Sequence, residues 1–350
     1  MSVKTCLMIG GSGRAGRWIR AFVDRFSDRV NIIGLVDVNP EVLESQGRAL
    51  GLSKSQLFTD HNRAIEAIDA DFCGISTPPQ FHSPAAVTAM RKGMSVISEK
   101  PMADTLEAAK AMVTTAVETG LPCAIMQNYR YARNKQEVVR IRQEGRLGRL
   151  QHLFGRYACD YRQYLSWGRG WRHDMDFGLL FEGSVHHFDM LRFLSGGDCQ
   201  TLIGFGWNPE WSSFQHFSSG YYLMRMNNGV HACYEGNSSA AGMTNCWRGE
   251  HYRLEFEAGT VEIAEGGDIT IHRVGEETEV YQAPEITLQE EVQFFDEFLN
   301  WLDGGPASST RITDNIQSFA MVIAAMDTTL DGQPKQLADY LSDLPLELVF

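Results

Sequence analysis

The chain has 350 residues, 43% of them hydrophobic and 21% charged, with a formal net charge of -13. That length exceeds one ordinary α/β domain and suits two, and the composition is that of a globular protein with a real core. The acidity repels a phosphate backbone and argues against nucleic-acid binding. No stretch approaches the roughly 18 uninterrupted apolar residues a membrane span needs. The N-terminus runs straight into strand-like Val3–Ile9 rather than a leader, so a soluble cytoplasmic chain is expected. The seven cysteines are scattered and form no CxxC, which favours reduced core thiols over a disulfide frame or a zinc site.

In chain order, short β-branched or apolar runs at Val3–Ile9, Asn31–Val36, Asp71–Ile75, Met94–Ile97 and Pro122–Gln127 predict strands. Helical patterns alternate with them at Ala15–Phe26, Glu41–Leu50, His61–Ile68, Ser83–Arg91 and Thr105–Thr119. This alternation predicts an α/β, doubly wound parallel sheet over residues 1–125. Beyond it the texture changes. A helix near Asn134–Glu144 leads into a strand near Leu150–Ala158, and a helix near Gly183–Leu194 stops at Gly196-Gly197. From Thr201 to about Gln282 strands and turns follow, with turns at Asn227-Asn228-Gly229 and Gly266-Gly267, and helices at Glu290–Leu302 and Asp314–Leu330 close the chain. Residues 126–350 therefore read as a second, α+β domain on a mostly antiparallel sheet.

The first strand runs into Gly11-Ser12-Gly13-Arg14-Ala15-Gly16, a GxGxxG opening a helix, and Asp37 closes the next strand about twenty residues later. In this reading Gly11 permits the tight turn, Gly13 lets the backbone approach a pyrophosphate, and Gly16 lets the helix pack closely. Phosphates then rest on the helix N-terminus, where unbonded N–H groups and the dipole favour negative charge. Asp37 can accept from ribose hydroxyls and would repel a 2′-phosphate, so NAD is expected over NADP. The alternative is a glycine-rich turn with Asp37 capping the next helix through Asn39-Pro40.

Three further motifs follow. Ser76-Thr77-Pro78-Pro79-Gln80-Phe81-His82 and Glu99-Lys100-Pro101 stand at carboxyl ends of strands, where open α/β sheets bind ligands. In Glu182-Gly183-Ser184-Val185-His186-His187-Phe188-Asp189, helical spacing would project Glu182, His186 and Asp189 from one face and leave His187 structural. Consecutive helical histidines diverge, so no metal site is expected. The segment Tyr161–Asp176 carries Tyr164, Trp167, Arg169, Trp171, Arg172 and His173, aromatic platforms beside donors that suit a sugar ring or, alternatively, a packed surface loop. Trp247 and Arg248 could close the same cleft or reach a neighbouring subunit.

Together with Gln127-Asn128-Tyr129-Arg130 and Gly145-Arg146-Leu147-Gly148, these motifs resemble, in order and over essentially the whole chain, the Gfo/Idh/MocA family of oxidoreductases. The resemblance implies an N-terminal Rossmann domain and a C-terminal domain with a large open sheet that often forms a homodimer or homotetramer interface. It implies a substrate over the nicotinamide, flanked by Lys100 and His186, and a Lys100–Pro101 bond that is often cis. The expected cofactor contacts are the loop residues Gly11, Ser12, Gly13, Arg14, Ala15 and Gly16, with Asp37, Val38, Ser76, Thr77, Pro78, His82, Glu99, Lys100 and Asn128. The expected substrate contacts are Lys100, Tyr129, Arg130, Tyr164, Trp167, Trp171, Arg172, Glu182 and His186. The chain departs from the family pattern in Glu182, where Asp is usual, and in Arg133, where Pro often stands.

The chemistry expected is hydride transfer between NAD(H) and a hydroxyl or carbonyl carbon of a sugar, inositol or related polyol. His186 would serve as base, Glu182 would orient or charge-balance it, and Lys100 would stabilise charge on the substrate oxygen. One alternative is an NAD-dependent glycosidase running a closed oxidation–elimination–reduction cycle. A non-catalytic dinucleotide-sensing regulator is disfavoured by retention of both Lys100 and His186.

Overall fold

The computed structural model describes residues 2–168, 170–242, 244–247, 249–264, 266–286, 288 and 290–344. The chain divides into two compact units. Of the described residues, the first takes 2–126, 291–316 and 344, and the second takes those within 127–290 and 317–343. A single border after residue 125 therefore omits a return segment.

The first unit contains β1 (Lys4–Ile9), α1 (Gly13–Arg25), β2 (Val30–Val36), α2 (Pro40–Ala49), β3 (Leu57–Phe58), α3 (His61–Ala67), β4 (Phe72–Ile75), α4 (His82–Arg91), β5 (Ser95–Ser98), α5 (Leu106–Thr119) and β6 (Cys123–Ile125). Its six strands are parallel, in the order β3-β2-β1-β4-β5-β6. The order reverses direction between β1 and β4, and the crevice beyond the carboxyl ends of those two strands is where such a sheet takes its ligand. The two-residue β3 is too short to leave a periodic signal.

The second unit contains α6 (Arg133–Glu144), β7 (Leu150–Ala158), α7 (Trp171–Asp174), a π-helical turn (Leu179–Ser184), α8 (Val185–Ser195), β8 (Cys199–Trp207), β9 (Ser219–Met226), β10 (His231–Asn237), β11 (His251–Phe256), β12 (Gly259–Ile263), β13 (Ile269–Arg273) and β14 (Glu279–Tyr281). After α9 (Glu290–Leu302) come α10 (Ile312–Asp331), β15 (Lys335–Gln336) and α11 (Leu337–Leu341). Its nine-stranded sheet runs β14-β13-β12-β11-β7-β10-β9-β8-β15 and is antiparallel apart from the β7–β10 pair. α8 lies on this sheet through Val185, Phe188 and Leu191, all buried, with the Phe188 ring 5.2 Å from that of Tyr234.

The return of α9 to the first unit has a packing cause. α1 presents Trp18, Phe22 and, at its C-cap, Phe26 along one stripe. The Phe295 ring lies 5.3, 4.7 and 6.4 Å from these three, and Phe298 lies 5.5 Å from Phe72. Burying two phenylalanines is worth about 1.5–3 kcal/mol each. Arg29 adds a rim contact to Asp296 at 2.8 Å.

All seven cysteines are described. Five are free and buried, as expected of core thiols, but Cys159 and Cys246 form a disulfide across a sequence separation of 87. That pairing corrects the reading of seven reduced thiols. Local spacing carries no trace of it because β7 and the segment after β10 meet only in the folded unit. No helix among the described residues is long and apolar enough to cross a membrane.

Candidate active site

In the first unit, the loop after β1 turns at Gly10, whose φ is +107° and whose missing Cβ would lie 2.3 Å from Ser76 O. The turn therefore falls one residue before Gly11, whose own requirement is space: a Cβ there would meet Val42 Cγ1 at 2.8 Å and Asp37 Oδ2 at 3.3 Å. Gly13, at φ +56°, faces open space with nothing within 4 Å of a built Cβ, which leaves its backbone approachable by a ligand. Gly16 packs against Gly11 O, 3.4 Å from a built Cβ, and Ala15 is buried. Ser12 is the N-cap of α1 with no side-chain cap bond, and no acid occupies the first turn. That helix end favours an anion.

Asp37 is held beside this loop. Gly11 N donates to Oδ2 at 2.9 Å and Asn39 N to Oδ1 at 2.9 Å. Asn39, not Asp37, caps α2, accepting from Glu41 N. Val38 is 85% exposed beside it. These features fit a dinucleotide: an approachable glycine backbone, an uncapped helix start and a carboxylate poised beside both.

At the ends of β4 and β5, Ser76 N donates to Ile9 O at 2.9 Å, and the buried Thr77 Oγ1 meets no hydrogen-bond partner among the described residues. The Lys100–Pro101 peptide is cis. His82 is fully buried, with Nδ1 2.8 Å from Pro101 O and Nε2 2.8 Å from Thr77 O. The ring thus ties the loop through Thr77 and exposed Pro78 to the Glu99-Lys100-Pro101 loop. With the side chain fully buried and both ring nitrogens engaged inside the unit, His82 makes these loop contacts instead of the direct cofactor contact expected of it. Glu99 is buried and lies 3.3 Å from Arg14 Nε. Burial pushes its carboxyl up to about 7; the Arg14 and Lys100 charges pull against that rise and Glu291 adds to it.

In the second unit, Glu182 lies in the π-helical turn and His186 in α8, so the even α-helical spacing read from sequence does not hold across them. Such turns are frequent at functional sites. Arg172 Nε donates to Glu182 Oε2 at 3.3 Å, and the Arg172 guanidinium stacks over Trp171 at 4.4 Å and Trp167 at 5.7 Å. Trp167 is buried and stacked on Tyr161 at 5.1 Å, whereas Tyr164 is half exposed and donates to Asp174 at 3.1 Å. Arg169 and Arg248 lie outside the described residues.

His186, 5% exposed, stacks on Tyr129 with ring centroids 4.5 Å apart and planes at 11°, and its Nδ1 is 3.2 Å from Gln127 Oε1. Gln127 had no assigned role, although it stands in the Gln-Asn-Tyr-Arg motif itself. His187 is structural, as expected, with Nδ1 2.7 Å from the Tyr234 hydroxyl. Asp189 accepts from Arg130 Nε and Nη2 at 2.8 and 2.7 Å and from Ser318 at 2.7 Å. Arg130 and Asp189 are both buried, so Arg130 is a bidentate core pair. Its guanidinium is thus committed to Asp189 rather than to the substrate contact expected of it. Asn128 Nδ2 donates to Glu290 at 3.4 Å.

Tyr129 and Trp247 line a cavity of about 540 Å³ in this unit, with Arg133, Asn134, Lys135 and Gln282 among its polar walls. Aromatic faces beside convergent polar groups are the composition of a small-molecule site. A neutral imidazole whose Nδ1–H donates to Gln127 presents a basic Nε2, which is what abstraction of a hydroxyl proton requires.

Comparison with known proteins agrees with this geometry. Residues 4–127 match the model of an oxidoreductase family with an NAD-binding Rossmann fold, and residues 136–262 match a GFO/IDH/MocA C-terminal domain. An uncharacterized protein, y4oX, of Sinorhizobium fredii is 33% identical over 347 residues, 96% of both chains. Levoglucosan dehydrogenase of Pseudarthrobacter phenanthrenivorans is 28% identical over 180 residues, half of this chain and 46% of its own length. The crystal structure of an oxidoreductase from Agrobacterium radiobacter with NAD+, L-tartaric acid and magnesium shares the fold at a TM-score of 0.86 and 19% identity, covering 97% of this chain and 99% of that one. With a dinucleotide loop, a cis Lys-Pro segment, a π-to-α helix carrying His186 and both family domains in sequence, the chain belongs to the Gfo/Idh/MocA family of oxidoreductases and its first unit is an NAD-binding Rossmann domain.

Proposed function

We propose that the protein transfers hydride between NAD(H) and a carbinol or carbonyl carbon of a sugar, inositol or related polyol. Bound NAD supplies the hydride acceptor or donor. His186 takes or returns the hydroxyl proton at Nε2, and Gln127 fixes the tautomer that makes this nitrogen basic. Lys100 donates to the substrate oxygen and stabilises negative charge developing there. Asp37 accepts from the ribose hydroxyls, favouring NAD over NADP, and Gly13 with the start of α1 receives the pyrophosphate.

One observation carries the reading: His186, with Nδ1 on Gln127, is stacked on Tyr129, and Tyr129 in turn lines a polar, aromatic-walled cavity. The levoglucosan dehydrogenase relative supports a carbohydrate substrate. The test is NADH formation with NAD+ and a panel of sugars, inositols and anhydrosugars, followed by kinetics of His186→Ala and Lys100→Ala. Each variant is expected to lose about 10²–10⁴ in kcat. Turnover within tenfold of wild type in both overturns the assignment, and glycoside cleavage without NADH accumulation replaces it with the closed redox cycle.

We also propose a cytoplasmic homo-oligomer formed through the large sheet. β8 and β9 pair Phe205 with Tyr221 and Ile203 with Leu223. Phe205, Trp207, Tyr221 and Leu223 are 66, 45, 39 and 53% exposed on that face. A contiguous exposed apolar face of this kind marks an interface.

A further inference from the structure

The segment from Asn245 to Glu250 is fixed to the second unit at three points, and the mechanism above uses none of them. Asn245 forms an antiparallel bridge with Ala158, with N–H···O contacts of 2.8 and 3.3 Å. Cys246 is joined to Cys159 by the disulfide, Cα to Cα 5.1 Å. At the far end Glu250, 1% exposed, lies 3.9 Å from Lys135 Nζ and 3.6 Å from His187 Nε2. Trp247 stands among these anchors. Its Nε1 donates to the Tyr161 hydroxyl at 2.5 Å, and its ring is 4.9 Å from Tyr157 and 6.4 Å from His186. Cys246, Trp247, Tyr129 and Lys135 line one cavity. The disulfide-bonded Cys246 and the aromatic residue next to it thus line one cavity, and the same Trp247 ring stands 6.4 Å from the ring of the proposed base.

We propose that Trp247 is the platform for the substrate ring and that Cys159–Cys246 is a redox-labile latch fixing its position. The substrate-binding part rests on the function proposed above; the latch does not. Access favours one direction of opening: Cys159 is fully buried, while Cys246 is partly exposed at the cavity wall. A thiolate of a small dithiol attacks Cys246 Sγ, a mixed disulfide forms, and the Cys159 thiolate leaves and takes up a proton. The second thiol of the reagent then closes on its own sulfur and releases Cys246 as a thiolate. Two electrons and two protons pass from the dithiol to the protein, and the reagent departs as a cyclic disulfide. With the latch open, Trp247 keeps its bond to Tyr161 and the Glu250 anchor but loses the covalent restraint one residue away. Gln127, His186 and Lys100 lie outside the segment, so loss of the platform weakens substrate binding rather than the chemical step.

Protein purified without reductant is denatured and its thiols are titrated. Five are expected before reduction and seven after; seven before reduction overturns the latch. Acrylamide quenching of native wild-type and Trp247→Phe protein, before and after dithiothreitol, isolates the Trp247 signal. Its quenching is expected to rise on reduction, and an unchanged value overturns the proposal. With the sugar or polyol that gives turnover, reduction should raise KM about tenfold, the worth of one aromatic stacking contact, and leave kcat within threefold. An unchanged KM, or an equal loss in kcat, overturns the platform role. Cys159→Ser with Cys246→Ser should reproduce the reduced state and ignore dithiothreitol. If that variant fails to fold, the native quenching experiment still decides. If no compound turns over, the function proposed above fails while the thiol count and quenching judge the latch separately.

Discussion

Glu99 is the residue whose environment departs most informatively from its chemistry. Its carboxyl is lifted to about 7 by burial, against the pull of Arg14 and Lys100 and with a push from Glu291. A raised acid pKa means the folded state holds the proton more tightly than the unfolded chain. The stabilisation is fully present below the unfolded value near 4.5 and is lost as pH rises through about 7. Glu99→Gln, which keeps the shape without the charge, should therefore leave Tm nearly unchanged at pH 4 and raise it at pH 8. The gain has a ceiling of about 3–4 kcal/mol, from a rise from 4.5 to about 7 at roughly 1.4 kcal/mol per pH unit. Thermal melts of both proteins at the two pH values check this, and equal shifts at both would remove the proton linkage. Asp37 gives a second prediction at this scale. On the role proposed for Asp37, losing its carboxylate removes charge-assisted hydrogen bonds to the ribose, so Asp37→Ser should lower kcat/KM for NAD about 10–100-fold. It should also narrow the preference over NADP. Initial rates with both cofactors measure it.

At the scale of elements, α8 is the piece that carries the proposed base, His186. Its apolar stripe seats it on the sheet, while Asp189 locks it through Arg130 and Ser318. Removing one partner of a buried pair leaves an uncompensated charge. Asp189→Ala should cost about 3–5 kcal/mol in urea-induced unfolding. An Arg130→Met, Asp189→Leu double variant should recover most of that loss, since the penalty comes from the orphaned cation. The helix itself was legible from its stripe and its glycine stop. The π-helical turn ahead of it was not, because one extra residue per turn alters the facing of Glu182 without altering composition.

At the scale of the whole molecule, the exposed Phe205, Trp207, Tyr221 and Leu223 on β8 and β9 decide the assembly prediction. Light scattering coupled to size exclusion should give a mass at or above twice the 39.3 kDa chain. Phe205→Asp with Leu223→Asp should yield monomer with an unchanged far-ultraviolet spectrum. A monomeric wild type would sink the interface. The two-unit division belongs to this scale as well. α9 returns to the first unit because Phe295 and Phe298 complete the aromatic cluster begun by Trp18, Phe22 and Phe72. No local pattern in residues 290–302 announces which core its apolar face will join.

Sequence by itself determined the elements whose causes are local. Alternating apolar runs and amphipathic stripes define the parallel sheet and its helices. The glycine loop and Asp37 are one strand–turn–helix apart, and the ordered motifs carry the family. What tertiary structure decided is where long-range contacts set the answer. It placed the turn at Gly10, because only the fold brings Ser76 O against it. It committed His82 and Arg130 to partners in distant loops and helices, and brought Gln127 to His186. It joined Cys159 to Cys246 across 87 residues. Each of these depends on which strand neighbours which, and that is fixed by burial of the assembled cores rather than by any window of residues.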